Sequence, residues 1–163
     1  MTSRDYRRLS APFRTPGRKR AVLWANRVLT GLFFPLYGAM LLSLALGRDA
    51  RLPRCVLVPG ASFLLLSFLR ARLNAPRPYE VLDIRPLIPK DTKGNSFPSR
   101  HVFSAFVIAM TALWLLPPLG CALLLCGGAL ALCRVVGGVH WPRDVLAGAA
   151  AGVLAGLAGY WWL

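Results

Sequence analysis

Five apolar blocks, at residues 21–46, 53–69, 99–116, 119–136 and 144–163, occupy most of the chain and are joined mainly by short polar breaks. A helix needs about 20 apolar residues to cross a bilayer, and fewer when neighbours or snorkelling side chains help. The pattern therefore predicts an all-α, polytopic transmembrane helix bundle with five spans. The breaks carry turn chemistry: 47–52 closes the first pair, Pro117 and Pro118 make a tight hairpin, and 137–143 links the last two spans. With 163 residues, 56% of them hydrophobic, and a mean hydropathy of +0.52, residues 21–163 read as one membrane-embedded domain. The first block continues through bulky residues to Leu46, so it reads as a retained anchor rather than a cleaved leader. Small residues from Ala147 to Gly159 suit the last helix to close packing.

The net charge of +14 arises from 20 Lys and Arg against 6 Asp and Glu. Such an excess points to nucleic acid, an anionic membrane surface or an anionic substrate. A nucleic-acid partner would need basic residues interleaved with aromatics on a soluble surface, and the charge here sits elsewhere. Residues 1–20 hold Arg4, Arg7, Arg8, Arg14, Arg18, Lys19 and Arg20 with two prolines. This composition reads as a basic tail that buries no core and is solvated or lies on anionic headgroups of membrane lipids. Cys55, Cys121, Cys126 and Cys133 all fall in apolar stretches without zinc-ligand spacing, and read as inert buried thiols.

One long polar insertion, 70–98, interrupts the pattern, with an apolar patch at 84–89 suited to the interface. Loops of that length inside compact domains are usually functional or disordered. With five spans, this insertion, the start of the third span and the last connection share one membrane face. That face collects Arg70, Arg77, Ser99, Arg100, His101, Arg134, His140 and Asp144, including both histidines of the chain. Arg134 alone would read as a snorkelling cation, but Gly137 and Gly138 break the helix after it and let Arg134 and His140 both turn inward. His140 and Asp144 are four apart, which brings a carboxylate within reach of an imidazole if the last helix starts near them. A carboxylate on one ring nitrogen fixes the tautomer and raises the basicity of the other, as a histidine nucleophile needs. Ser99 after Pro98 is an N-cap position whose free N–H groups favour an anion, and His101 is placed to give a proton to a leaving oxygen. The arginines supply planar forks for phosphate oxygens. Glu80, Asp83 and Asp91 are scattered in the insertion, so no acidic cluster for a metal is expected, nor any cofactor. The chemistry these residues suggest is metal-free phosphoryl transfer.

The same residues resemble the type-2 phosphatidic acid phosphatase and vanadium haloperoxidase superfamily. Its signature, Lys-x6-Arg-Pro, then Pro-Ser-Gly-His, then Ser-Arg-x5-His-x3-Asp, stands here as Arg70-ARLNAP-Arg77-Pro78, Pro98-Ser99-Arg100-His101 and Cys133-Arg134-VVGGV-His140-WPR-Asp144. Order and spacing match over residues 70–144. Arg70 replaces the lysine and Cys133 the serine, whereas Arg100 replaces the glycine and adds bulk and charge beside the headgroup. The resemblance implies His140 as nucleophile, Asp144 as its orienting partner, His101 as general acid, and Arg70, Arg77, Ser99, Arg100 and Arg134 as phosphate ligands. It also implies a six-helix bundle, so five to six helices are expected, and a lipid phosphate or diphosphate substrate of the undecaprenyl diphosphate or phosphatidate type. The five-span layout sets the membrane branch apart from the soluble haloperoxidases. The competing class is an idle membrane protein that binds lipid phosphate or a partner through its basic face; loss of either histidine or of Asp144 would mark it, and all three are present. The basic tail places the site face in the cytoplasm by the positive-inside rule, while most bacterial relatives work on the outer face of the inner membrane.

Overall fold

A computed structural model of the protein describes residues 1–162. The helices are α1 (Ser3–Ser10), α2 (Pro16–Leu46), α3 (Leu52–Leu73), the short α4 (Pro78–Val81), α5 (Arg100–Leu115), α6 (Pro117–Val136) and α7 (Pro142–Leu157), which continues as a π turn over Ala158–Trp162. The five expected spans correspond to α2, α3, α5, α6 and α7; Leu163, the end of the last one, lies outside the described residues. The chain is an integral membrane protein with a polytopic helical fold.

Four of these segments are long and apolar enough to cross a membrane, and α5, at 16 residues, is shorter. Its length of about 24 Å is accommodated because α5 is the central helix: Val102, Phe103, Ala105, Ile108, Ala109 and Ala112 along it are almost fully buried. α6 returns antiparallel beside it after the Pro117–Pro118 turn, where an added Cβ on Gly120 would come within 2.3 Å of the Leu113 backbone. α7 packs its glycine edge on α5 as well. A Cβ on Gly148 would lie 2.6 Å from the Ser99 carbonyl, and one on Gly152 2.9 Å from that of Phe103. These approaches are the close packing expected of the small-residue segment. At the far end, Tyr160 stacks on Trp114 with ring centroids 5.0 Å apart and shares a 2.7 Å hydrogen bond with Thr111.

The second span runs further than its apolar block. α3 continues to Leu73 and stops at Asn74, whose φ of 38° is left-handed, so Arg70 sits in the last helical turn rather than in a loop. Apolar composition also does not equal burial here. Leu64, Leu65, Leu125 and Leu132 are exposed on the outer surface, as expected where lipid replaces water as solvent. For the same reason the cysteine expectation needs correction: Cys55 is buried, but Cys121 is exposed and Cys126 and Cys133 are half-buried.

The N-terminal segment departs from the expectation of a tail that buries no core. Thr2 and Asp5 form a reciprocal capping box that starts α1, and Tyr6 and Ser10 on its inner side are fully buried. Its arginines stay exposed. The Tyr6 hydroxyl reaches the backbone of Leu87, and Leu87 and Ile88 are buried rather than resting at the membrane interface. α2 then begins at Pro16, a residue suited to the first helical position.

Candidate active site

The last connection is a tight turn between α6 and α7. Gly137 caps α6 and Gly138 follows with φ of 75°, a conformation that favours glycine. The turn brings Arg134 and His140 inward, to 4% and 1% exposure. Two hydrogen bonds hold it from the polar insertion: Ile88 N donates to Gly137 O at 3.2 Å, and Arg77 Nη1 donates to Val139 O at 3.0 Å.

α7 starts at Pro142 with Trp141 as N-cap, so Asp144 falls in its first turn. The Asp144 Oδ2 atom accepts from Trp141 N at 3.0 Å and from Ser96 Oγ, and lies 3.4 Å from His140 Nδ1. With Nδ1 turned to the carboxylate, the proton belongs on that nitrogen and the lone pair on Nε2. Burial pushes the His140 imidazole down to about 4, the nearby carboxylate opposing the shift and Arg134 and Arg77 adding to it. The ring is therefore neutral at neutral pH, the form a nucleophile needs.

α5 begins beside this pair. Ser99 is its N-cap and its own N–H donates to Asp144 O at 2.9 Å, which ties the start of α5 to the start of α7. The Ser99 hydroxyl makes no cap and, like Arg134 Nε and Nη2, is buried without a hydrogen-bond partner. Unsatisfied buried donors cost about 1–3 kcal/mol each, more when charged; three of them near one histidine are donors waiting for an acceptor. Arg70 Nη1 donates to Pro98 O at 2.8 Å from α3. Arg77 is braced by Gly94 O on Nε at 3.1 Å, and its backbone N–H by Glu80 Oε2 at 2.6 Å. Arg100 is exposed, with its guanidinium 5.8 Å from the centre of the Phe63 ring.

Electrostatically the cluster is cationic. Arg70 is within reach of the charges on Arg77, Arg100 and Arg134, and His101 within reach of Arg134 and His140. Lys90, in the insertion, is held below the usual lysine range first by burial and then by those same arginines. A cavity of about 450 Å³, lined by Arg70, Arg77, Lys90, Lys93, Arg100 and His101, opens here. Arg100 and His101 also border an apolar cavity of about 300 Å³ formed by Phe33, Phe34, Phe63 and Leu130. A further apolar hollow of about 180 Å³ shares Phe34, Phe63 and Ser104 with it and leads along α5. Among the described residues no three His, Cys, Asp or Glu side chains come together as a metal site.

All eight residues singled out in the sequence thus gather at one end of the bundle. Four residues of the site are not marked by the sequence reading. Ser96, an ordinary loop serine in the sequence, bonds Asp144 and lies 3.4 Å from His140 Nδ1. Asn26 on α2 accepts from Arg134 Nη1 at 3.3 Å; a lone asparagine in an apolar span is a signal that could have found it. Lys90 and Lys93 line the cavity with nothing in their spacing to mark them.

A sequence model for the PAP2 superfamily matches residues 52–163. Lipid A 1-phosphatase of Porphyromonas gingivalis is 38% identical over 81 residues, 46% of this chain and 18% of that protein. The bacitracin transport permease protein BcrC of Bacillus licheniformis is 39% identical over 67 residues, 41% of this chain and 33% of that protein. The aligned stretches thus span well under half of either curated relative. The crystal structure of Aquifex aeolicus LpxE superposes with a TM-score of 0.73 at 27% identity, covering 94% of this chain and 91% of that one. A transmembrane PAP2-type phosphatidylglycerolphosphate phosphatase from Bacillus subtilis shares the fold, with a TM-score of 0.62 at 23% identity over 94% of this chain and 90% of that one.

Proposed function

This chain belongs to the PAP2 superfamily, and from that premise we propose that it is a membrane hydrolase that removes phosphate from a lipid phosphate or diphosphate through a phosphohistidine intermediate. The observation that carries the reading is the set of buried, partnerless donors, Ser99 Oγ with Arg134 Nε and Nη2, beside a neutral histidine that faces a carboxylate. In the first step His140 Nε2 attacks phosphorus; the P–N bond forms as the bond to the leaving oxygen breaks, and His101 gives that oxygen its proton. In the second, water attacks the phosphohistidine, His101 takes the proton, the P–N bond breaks and inorganic phosphate leaves. Arg70, Arg77, Arg100, Arg134 and Ser99 stabilise the charge on the phosphoryl oxygens in both transition states. Asp144, held by Ser96 and Trp141 N, orients His140.

A lipid substrate is favoured because the cationic cavity joins the apolar one at Arg100 and His101. A phosphate in the first leaves its chain to run along Phe34 and Phe63 into the bundle. Undecaprenyl diphosphate, phosphatidate and a lipid A 1-phosphate all fit that description, and a bacterial cell membrane is the setting the relatives suggest. Phosphate release by detergent-purified protein, with EDTA present, from each of the three tests the reading. Wild type should release phosphate from at least one, and His140→Ala should lose at least about a thousandfold in rate. Wild-type release abolished by EDTA, or equal release by the variant, would refute the mechanism; no release from any would favour an idle lipid-binding protein.

A further inference from the structure

The His140 turn is braced from a third side, by the N-terminal segment that lies outside the matched residues. Tyr6 is fully buried, and its Oη, Cζ and Cε2 atoms would lie 2.5, 2.7 and 2.9 Å from a Cβ on Gly138, two residues before His140. The aromatic ring therefore rests on the bare backbone of the turn. Its hydroxyl lies within reach of the Leu87 backbone and the Ser10 side chain and makes no hydrogen bond to the turn, so the contact with Gly138 is one of shape. α1, which delivers this ring, is a short amphipathic helix with Arg4, Arg7 and Arg8 exposed. Eight residues are too few to stay helical alone in water.

Between α1 and the insertion lies a cleft of about 560 Å³ lined by Arg7, Arg14, Asp83, Ile84 and Arg85. Three guanidinium groups and one carboxylate leave it with net positive charge, and Arg14 is held in place by its Nε bond to Ser10 Oγ at 3.3 Å. The cleft is separate from the cationic cavity, sharing none of its lining residues. It lies on the face where α2 enters the membrane, at the level where an interfacial helix meets headgroups.

We propose that this cleft binds the anionic headgroup of a membrane phospholipid that is not the substrate, and that the bound headgroup seats α1 so that Tyr6 presses on Gly138 and holds His140 in place. Tyr6 is then a positioning residue acting through the turn, and the surrounding lipid sets the fraction of molecules with an ordered nucleophile. The effect on turnover rests on the reading of His140 as nucleophile; headgroup binding does not.

The test uses the full chain in nanodiscs of phosphatidylcholine alone or with phosphatidylglycerol, a phosphodiester with no phosphate monoester to remove. Phosphate release should rise at least about threefold in kcat with phosphatidylglycerol, at unchanged KM. Replacing Arg7, Arg14 and Arg85 together by Ala should keep the rate in phosphatidylcholine and abolish the rise. Tyr6→Ala should lower kcat about tenfold in either lipid, while Tyr6→Phe should stay within about twofold of wild type, because the ring keeps its contact with the turn. Hydrogen exchange gives a readout independent of turnover: phosphatidylglycerol should slow exchange at residues 3–10 and 137–140 in wild type and not in the triple variant. Equal exchange in the two lipids would overturn the proposal. Lipid-dependent protection without turnover in any nanodisc would keep the headgroup site and sink the hydrolase reading instead.

Discussion

Asn26 is the residue whose replacement most directly tests the proposal that Arg134 holds the substrate phosphate. It projects from α2, outside the residues matched to the superfamily, and its Oδ1 accepts from Arg134 Nη1 at 3.3 Å, while Arg134 Nε and Nη2 remain without partners. A carboxylate in its place would tie the guanidinium more strongly but cancel the charge the phosphate is to meet; a neutral amide orients it and leaves the charge intact. A hydrogen bond to a charged group contributes about 1.5–3 kcal/mol, and at 3.3 Å, longer than the optimum, the low end applies. Asn26→Ala should therefore cost about 1.5 kcal/mol of transition-state stabilisation, or about tenfold in kcat/KM. Asn26→Asp keeps the acceptor and should keep or raise thermal stability, yet lower kcat/KM further than the alanine variant does. The assay is phosphate release across a substrate series, with Tm of each variant in the same detergent. If both variants stay within about twofold of wild type in kcat/KM, Arg134 is not a phosphate ligand positioned by α2, and the argument fails.

The pH profile carries a second prediction. Because burial holds His140 at about 4, against about 6.5 for a free histidine, the imidazole proposed as nucleophile stays neutral until pH falls through 4, and the acid limb of kcat should lie there rather than near 6.5. Stability has the same sign: above 6.5 the imidazole is neutral in both states, and between 6.5 and 4 the unfolded chain gains a proton that the folded one refuses, so Tm should fall across that window. Gly152→Ala places a Cβ 2.8 Å from Phe106 Cβ and 2.9 Å from Phe103 O, so α7 must move off α5. A loss of about 1–3 kcal/mol, seen as a lowered Tm, is expected. Ser104→Leu narrows the junction of the two apolar hollows and should raise KM at least about tenfold for a long-chain lipid phosphate, while a short-chain analogue keeps its KM.

The clustering of the candidate site was legible in the sequence because it uses rare residues at helix ends. Two histidines, one aspartate and four arginines standing at the polar ends of apolar spans have few bland explanations, and their spacing follows from the turns that present them. What supports those residues was less visible, for a physical reason: a supporting group needs only one polar atom or a flat ring at the right place, and many residue types can offer either. Ser96 bonds Asp144 from a loop of serines and prolines, and Tyr6 props Gly138 from a segment whose arginines dominate its composition. Charge averaged along the tail hides its buried side. Helical periodicity instead puts Tyr6 and Ser10 on one buried side and the arginines on the other, so even eight residues can hide an anchor that average composition does not reveal. The thiols were misplaced by the converse error, since in a bilayer the outside of a bundle is as apolar as its inside, and hydropathy alone cannot say which side of a helix Cys121 occupies. Burial in such a chain is read from size rather than polarity. Gly148 and Gly152 mark the α5-facing edge of α7, while Leu146 and Leu154 on the same helix are exposed. That edge carries Ser99 N to Asp144 O, which makes the packing of α5 against α7 the element that sets the N-cap of one and the carboxylate of the other at a fixed distance.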